Sequence, residues 1–147
     1  MGECHYQFGN FDAIVTACAT VKILKQAGIN PKRFALDWAS AAEAPLYVEL
    51  ITKFIQKIKT LGHLGLNEGK TREEMEFNLA AARAAVESVR LRTRIAKTVQ
   101  DMRKINDYSP SVVESKIAEK LDAVIIREIQ KHETAMQASQ NSKEVKF

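Results

Sequence analysis

Apolar positions recur at steps of three and four along most of the chain, and this spacing predicts helices joined by short, sharply punctuated turns. The first helix is expected from Phe11 to about Gln26, with Asn10 as its N-cap and Ile14, Cys18, Val21, Leu24 and Ala27 as one buried stripe. Gly28 stands where a helix C-cap belongs, and Ile29-Asn30-Pro31 turns the chain. Between Phe34 and Trp38 the period changes to two: Phe34, Leu36 and Trp38 alternate with Ala35 and Asp37, as in a short strand. Ser40-Ala41-Ala42-Glu43 has capping-box spacing. It predicts a second helix to about Leu61, with Leu46, Leu50, Phe54, Ile55 and Ile58 facing inward. Pro45 is compatible with that helix because it lies in or near the first turn, where no backbone donor is required.

The pattern lapses between Leu61 and Gly69, which reads as a linker. Thr71-Arg72-Glu73-Glu74 is a second capping box. No Gly or Pro follows until Pro110, so the simplest expectation is one helix of about 35 residues and about 50 Å. Its seam changes phase near Val89–Thr93, where a break fits. Met75, Leu79, Ala82, Val86 and Val89 form one seam, and Leu91, Ile95, Met102 and Ile105 form the other. Ser109-Pro110 opens a last helix to about Glu133, striped by Val113, Ile117, Leu121, Val124, Ile125 and Ile129. The short connection makes the two long helices an antiparallel hairpin. Residues from about Met136 to Phe147 carry no stripe and are expected to be frayed or disordered.

Composition adds little to this picture. The chain has 147 residues, enough for one ordinary domain or a small domain with an extension. Its 46% hydrophobic content suits a packed core, and six Gly, three Pro and few aromatics suit long helices. The net charge of +4 is mildly basic. No stretch of about 18 apolar residues marks a membrane span, and no charged-then-apolar start marks a secretion signal; a cytoplasmic location is the default expectation. Two cysteines, Cys4 and Cys18, are too few for a disulfide framework or an all-cysteine metal site within one chain. Cys18 reads as a small buried apolar residue. There is no phosphate-binding glycine loop, zinc-ligand spacing or nucleophile–base pair.

The opening residues Gly2-Glu3-Cys4-His5-Tyr6-Gln7-Phe8-Gly9-Asn10 carry the most specific signal. They resemble the end of a motif, Cys-His-Pro-Gly-Asp/Glu-Cys-His-Tyr followed by Gly-Asn. That motif belongs to the delta (iron–sulfur) subunits of methyl-viologen-reducing hydrogenases, which also occur fused to heterodisulfide-reductase-like proteins. The resemblance continues through Leu24-Lys25-Gln26-Ala27-Gly28-Ile29, Arg33-Phe34, Leu36-Asp37-Trp38-Ala39-Ser40-Ala41-Ala42-Glu43 and Leu61-Gly62. It covers roughly Gly2 to Gly65.

The resemblance implies an electron relay with a [2Fe–2S] cluster, working between subunits of a hydrogenase or formate dehydrogenase and a flavin-containing heterodisulfide-reductase-like subunit. Cys4 would be a cluster ligand. Gly2, His5, Tyr6, Gly9 and Asn10 would surround it, the glycines and the backbone near His5 allowing close approach and N–H donors to sulfur. The first Cys-His-Pro of the motif has no counterpart, because Met1 stands where the proline would be. The family's upstream cysteines and strands have none either, so the remaining ligands would come from outside this chain. A late start codon, a truncated gene product or one piece of a split subunit is expected.

The fold class expected is therefore mostly α with one short β-strand: a truncated remnant of an α/β domain followed by a long helical hairpin. The divisions are 1–65 for the delta-subunit-like part, 66–70 for a linker, 71–135 for the hairpin and 136–147 for a tail. Arg83, Arg90, Arg92, Arg94 and Lys97, with Arg103 and Lys104, make a basic stretch. A solvated helix face is the plain reading, a docking surface for an acidic partner subunit the sharper one. Nucleic acid is not expected, since no aromatic residue is interleaved from Asn78 to Asp107. His63 and His132 are expected to face solvent. Apolar faces left open on the first two helices imply a partner or self-association. A metal-free assembly module within the same kind of complex is the alternative to the relay.

Overall fold

The computed structural model describes residues 7–144, and of residues 140–144 it describes the backbone. Helix α1 spans Gly9–Gln26 and is followed by a 3₁₀ turn at Pro31–Arg33. Helices α2 (Ala44–Leu61), α3 (Arg72–Glu87), α4 (Val89–Ile105) and α5 (Pro110–Ile117) follow in order. A π-type segment, Ala118–Asp122, joins α5 to α6 (Ala123–Glu144). No strand is present among the described residues.

The expected strand at Phe34–Trp38 is thus corrected. Phe34 is extended (φ −122°, ψ 145°), but no second strand lies alongside to complete a ladder. Alternation of side chains makes a segment ready for a sheet; pairing makes it a strand.

Turn chemistry explains most boundaries. The α1 C-terminus closes with two reversed hydrogen bonds, Gly28 N–H to Lys25 O at 3.0 Å and Ile29 N–H to Leu24 O at 2.9 Å. This closure requires the left-handed φ of +69° that Gly28 adopts. The Thr71–Glu74 capping box forms in full: Glu74 N–H donates to the Thr71 hydroxyl at 3.2 Å, and Thr71 N–H donates to the Glu74 carboxylate at 2.7 Å. The expected long helix breaks at Ser88, which leaves the helical region (φ −65°, ψ 133°) and caps α4 by accepting from Leu91 N–H at 3.2 Å. Asn106, at φ 53°, ends α4.

Two caps differ from expectation. Phe8, not Asn10, precedes α1, and Asn10 falls inside the first turn. Ser40–Glu43 forms half a box: Ser40 N–H donates to the Glu43 carboxylate at 2.8 Å, but the helix starts only at Ala44. At the other end of the chain, α6 runs on through Glu144, beyond the expected stop near Glu133 and into the stretch expected to be frayed.

The core sits where α1 meets α3–α6. Val15, Ala19, Ile23 and Ala27 of α1 pack with Met75, Ala81, Ala82 and Ala85 of α3. Leu91 and Met102 of α4 join them, with Val113, Ile117, Leu121, Ile125 and Ile129 of the last helical run. The stripes expected for α5 and α6 are the ones buried, with Val124 partly so. On α1 the stripe is rotated by one residue: Ile14, Cys18 and Leu24 lie on its flank. On α3 Met75 and Ala82 are buried as expected, but Ala81 and Ala85 take the place of Leu79 and Val86, which are exposed, as is Val89 at the start of α4. α3 lies along α6, and small residues at a helix crossing let the axes approach closely. His132 is also corrected: its Nε2 is buried, with no hydrogen-bond partner among the described residues, whereas His63 is exposed.

A single ion pair ties the 3₁₀ turn to the loop before α3. Arg33 donates from Nε to Glu68 Oε1 at 2.7 Å and from Nη2 to Oε2 at 3.1 Å. The remaining donors go to the end of α2: Nη1 to Gly62 O at 2.8 Å and Nη2 to His63 O at 2.9 Å. Glu68 also accepts from Asn30 N–H at 3.1 Å and Gly65 N–H at 3.0 Å. Gly65 is required here, because at φ +97° a Cβ would stand 2.7 Å from Lys70 O.

The hydrogen bond from Arg33 does most to hold the Glu68 carboxyl down at about 2. This folded value lies below the ordinary one, so the stabilisation is complete above about pH 4.5 and is lost as pH falls towards 2. Glu68→Gln is expected to cost about 2 kcal/mol at neutral pH and to flatten the acid limb of stability over that window, read by urea unfolding at stepped pH. Ala81→Leu, at a fully buried seam position, is expected to lose about 1–3 kcal/mol by overpacking, read by the same unfolding midpoint.

Candidate functional site

Gly2, Cys4, His5 and Tyr6 lie outside the described residues; Gly9 and Asn10 are the first two residues of α1. The structure describes the residues that follow that segment. Phe8 lies against the Arg103 guanidinium, 5.4 Å from the ring centroid. Arg103 forks onto Asp12, with Nε to Oδ1 at 3.0 Å and a second bond from Nη2 to Oδ2. Phe11 stacks on Tyr108 with ring centroids 4.5 Å apart. The start of α1 is thereby fixed to the end of α4 and the loop after it. Burial, with the Asp12 charge behind it, pushes the Tyr108 hydroxyl pKa up, and its oxygen is buried with no partner among the described residues.

Asp12, Arg103 and Tyr108 were not identifiable as a group from sequence. Asp12 and Arg103 lie 91 positions apart, and neither sits in a recognisable motif. Phe8, the N-cap of α1, makes no side-chain cap bond, and Asp12 places a carboxylate in the first turn, on the favourable side of the helix dipole.

Cys18 sits partway along α1, on the flank of a cleft of about 440 Å³ that it shares with Ile14, Val21, Phe34, Leu36 and Glu114. It is half-buried, not fully buried as expected. Burial raises its thiol pKa, and the Glu114 carboxylate adds to the rise. Among the described residues no three His, Cys, Asp or Glu side chains gather as a metal-binding group. The described donors therefore do not fit a [2Fe–2S] cluster, which takes four ligands. They offer one cysteine, and it favours the protonated thiol.

The basic stretch does not form one surface. Residues two apart on a helix point to different sides. Arg90, Arg94 and Lys97 share one cleft with Val89. Arg92 lies elsewhere, in a cleft of about 470 Å³ with Asp12, Ile95, Val99 and Arg103. Arg83 pairs with Glu87 at 3.0 Å. Arg90 is 3.9 Å from Glu128, whose side chain is buried.

Helix α2 presents a different kind of surface. Of its residues only Leu61 is buried, and its principal neighbour is the 3₁₀ turn. Leu46, Leu50, Phe54 and Ile58 are half-buried, whereas Ile55, expected inside, is exposed. Tyr47, Val48 and Ile51 are exposed beside it.

With this geometry in view, comparison with known proteins places the first part of the chain. Residues 1–62 match the family described as methyl-viologen-reducing hydrogenase, delta subunit, and the resemblance drawn from the motif order holds over that segment. The chain is 40% identical over 65 residues to one subunit of the ferredoxin:CoB-CoM heterodisulfide reductase of Methanosarcina mazei, covering 44% of this chain and 8% of that protein. It is 37% identical over 62 residues to the iron–sulfur subunit of the F420-non-reducing hydrogenase of Archaeoglobus profundus, covering 42% of this chain and 45% of that one. With the corresponding vhu iron–sulfur subunit of Methanopyrus kandleri it shares 35% identity over 63 residues, 43% of this chain and 48% of that protein. The chain thus spans less than half of each of these relatives. No solved structure matches it. No helix among the described residues is long and apolar enough to cross a membrane.

The Cys18 environment gives a direct check. In a Cys4→Ser background, Glu114→Gln is expected to speed iodoacetamide alkylation of Cys18 at about pH 7.5, because one of the two causes of its raised pKa is removed. The rate should stay below that of a free thiol, since burial is the larger cause.

Proposed function

We propose that this chain is a non-catalytic, electron-transferring component of a hydrogenase- or heterodisulfide-reductase-type oxidoreductase complex. The match of residues 1–62 to the delta-subunit family carries the reading, because that segment includes the Cys-His-Tyr motif. The relatives' names add support: they are subunits of a hydrogenase and of a heterodisulfide reductase. In this reading Cys4 binds a [2Fe–2S] cluster together with ligands from outside this chain, next to hydrogenase or formate dehydrogenase subunits and a flavin-containing heterodisulfide-reductase-like subunit. The described donors do not complete such a site, so the cluster depends on the assembled complex. The start of α1, fixed by Asp12–Arg103 and Phe11–Tyr108, would give the Cys4 segment a rigid point of departure.

One observation favours a second reading, a metal-free assembly module of the same kind of complex. α2 exposes Tyr47, Val48, Ile51 and Ile55, and a surface of this kind has a structural use whether or not Cys4 meets iron.

Iron and acid-labile sulfide, measured on the complex purified anaerobically from its source, distinguish the two. The relay predicts about two irons per chain and an EPR signal that Cys4→Ser abolishes or shifts. Full assembly and electron flow in Cys4→Ser, with the signal unchanged, would leave the assembly module standing and remove the ligand role.

A further inference from the structure

We infer that the segment Phe34–Trp38 pairs with the same segment of a second copy of this chain, antiparallel about a two-fold axis at Leu36. The inference rests on the backbone and the register of these residues, and is independent of the cluster and of the proposed function.

The backbone is prepared for a strand. Phe34 is extended (φ −122°, ψ 145°), and the chain makes no turn or bend from there to Ser40. From Ala35 to Ala39 no backbone N–H or carbonyl has a hydrogen-bond partner among the described residues. The residues from Ala35 to Ser40 are all exposed. Such a row of open donors and acceptors is satisfied together by one kind of partner, another extended backbone. A helix or a small apolar molecule would leave it unpaired. Both ends are fixed beforehand: Phe34 N–H donates to Pro31 O at 3.1 Å, and Ser40 N–H donates to the Glu43 carboxylate at 2.8 Å. Pairing therefore has little left to order.

The side chains select a second copy. About an axis at Leu36, Leu36 stands opposite its own copy, Phe34 opposite Trp38, and Ala35 opposite Asp37. Residues directly opposite share a face, so Phe34, Leu36 and Trp38 of both copies join in one apolar stripe that holds two aromatic pairs. Leu36 and Trp38 are 38% and 39% exposed in the single chain. Phe34 and Leu36 border the cleft of about 440 Å³ beside α1, and the second copy's Trp38, opposite Phe34, would come to that side.

Other registers are poorer. A slip of one residue brings Asp37 onto the apolar face. An axis at Asp37 sets two carboxylates opposite each other, and an axis at Ala35 sets Lys32 opposite Trp38. The ladder is short, near the low end of specific interfaces at about 1,200 Å² in total. A dissociation constant in the micromolar range is therefore expected.

Sedimentation of the purified full chain over about 1–300 μM tests this, and a monomer–dimer equilibrium is the expected result. Ala35→Asp sets like charges opposite each other in both symmetry-related pairs and should weaken the dimer about fivefold. Ala35→Lys faces Asp37 instead and should strengthen it by about the same factor. Position 35 is exposed, so circular dichroism of both variants should be unchanged. In a Cys4→Ser, Cys18→Ser background, oxidised Leu36→Cys should form a disulfide dimer, since opposed Cα atoms lie about 4.5–5.5 Å apart. Ala35→Cys alone should not, because its own copy is a diagonal neighbour at about 7–8 Å. Mixed with Asp37→Cys, it should form the heterodimer.

If the segment takes any other strand, the purified chain stays monomeric at every concentration, and the inference is overturned. A dimer that both charges at position 35 leave unchanged would also overturn it. So would one that Ala35→Cys cross-links as readily as Leu36→Cys.

Discussion

The pairing of Arg33 with Glu68 is the constraint on which the placement of α2 depends. A guanidinium has five donors in a fixed plane, and here they are divided between one carboxylate and the carbonyls that end α2. Those carbonyls lie just past Leu61, so the arginine ties the exit of α2 to another part of the chain. Glu68 in turn gathers the N–H groups of Asn30 and Gly65. Two connections, α1 to α2 and α2 to α3, are thereby closed around one ion pair whose side chains are only 12% and 3% exposed. Removing one partner from so enclosed a pair costs far more than exposed pairs contribute. The exposed pair Lys53–Glu49 offers the contrast, since it orders two side chains on a helix that exists without them.

How far the fold was legible follows from which features are local. The Thr71–Glu74 box, the glycine at 28 and Ser109-Pro110 are each set by a few adjacent residues, and each appeared as read. The α5–α6 stripe was legible because its other faces are polar. α1 was not, because Ile14, Val15, Ala17, Cys18, Ala19, Val21 and Ile23 surround it with apolar groups, leaving the buried phase to its neighbours. On α3 the larger residues Leu79 and Val86 drew the seam to the wrong side; the close approach of α6 selects Ala81 and Ala85. The segment 34–38 shows the same limit, since its alternation is local but a strand is not.

The candidate site divides along the same line. The motif around Cys4 is a string of neighbours, and it falls within the segment that matches the family. The residues that hold the start of α1, Asp12, Arg103 and Tyr108, come together only in three dimensions. The arginine stretch fails in the opposite sense. Its members are close in sequence, but a helix turns by about 100° per residue, so Arg92 leaves the side that Arg90, Arg94 and Lys97 share. Internal carboxylates then engage part of what remains: Glu87 takes Arg83, and Glu128 lies beside Arg90. A cluster of like charge in sequence therefore overstated what any partner would meet.

The family match ends at residue 62, yet the core around α1 is completed by α3–α6, which lie beyond it. Residues after the matched segment thus cover one of its two helices and leave the other open. That division separates the two readings of the chain. The proposed redox role would draw on the Cys4 segment and further ligands, whereas α2 is set by Arg33 and Glu68, on either side of the match boundary. Loss of the first would not disturb the second, because no described contact of the Arg33–Glu68 cluster passes through the start of α1. The electron-relay and assembly readings are for this reason not rivals for the same residues. They draw on opposite ends of the segment, and a chain that kept only α2 in place would still have a surface to offer the complex.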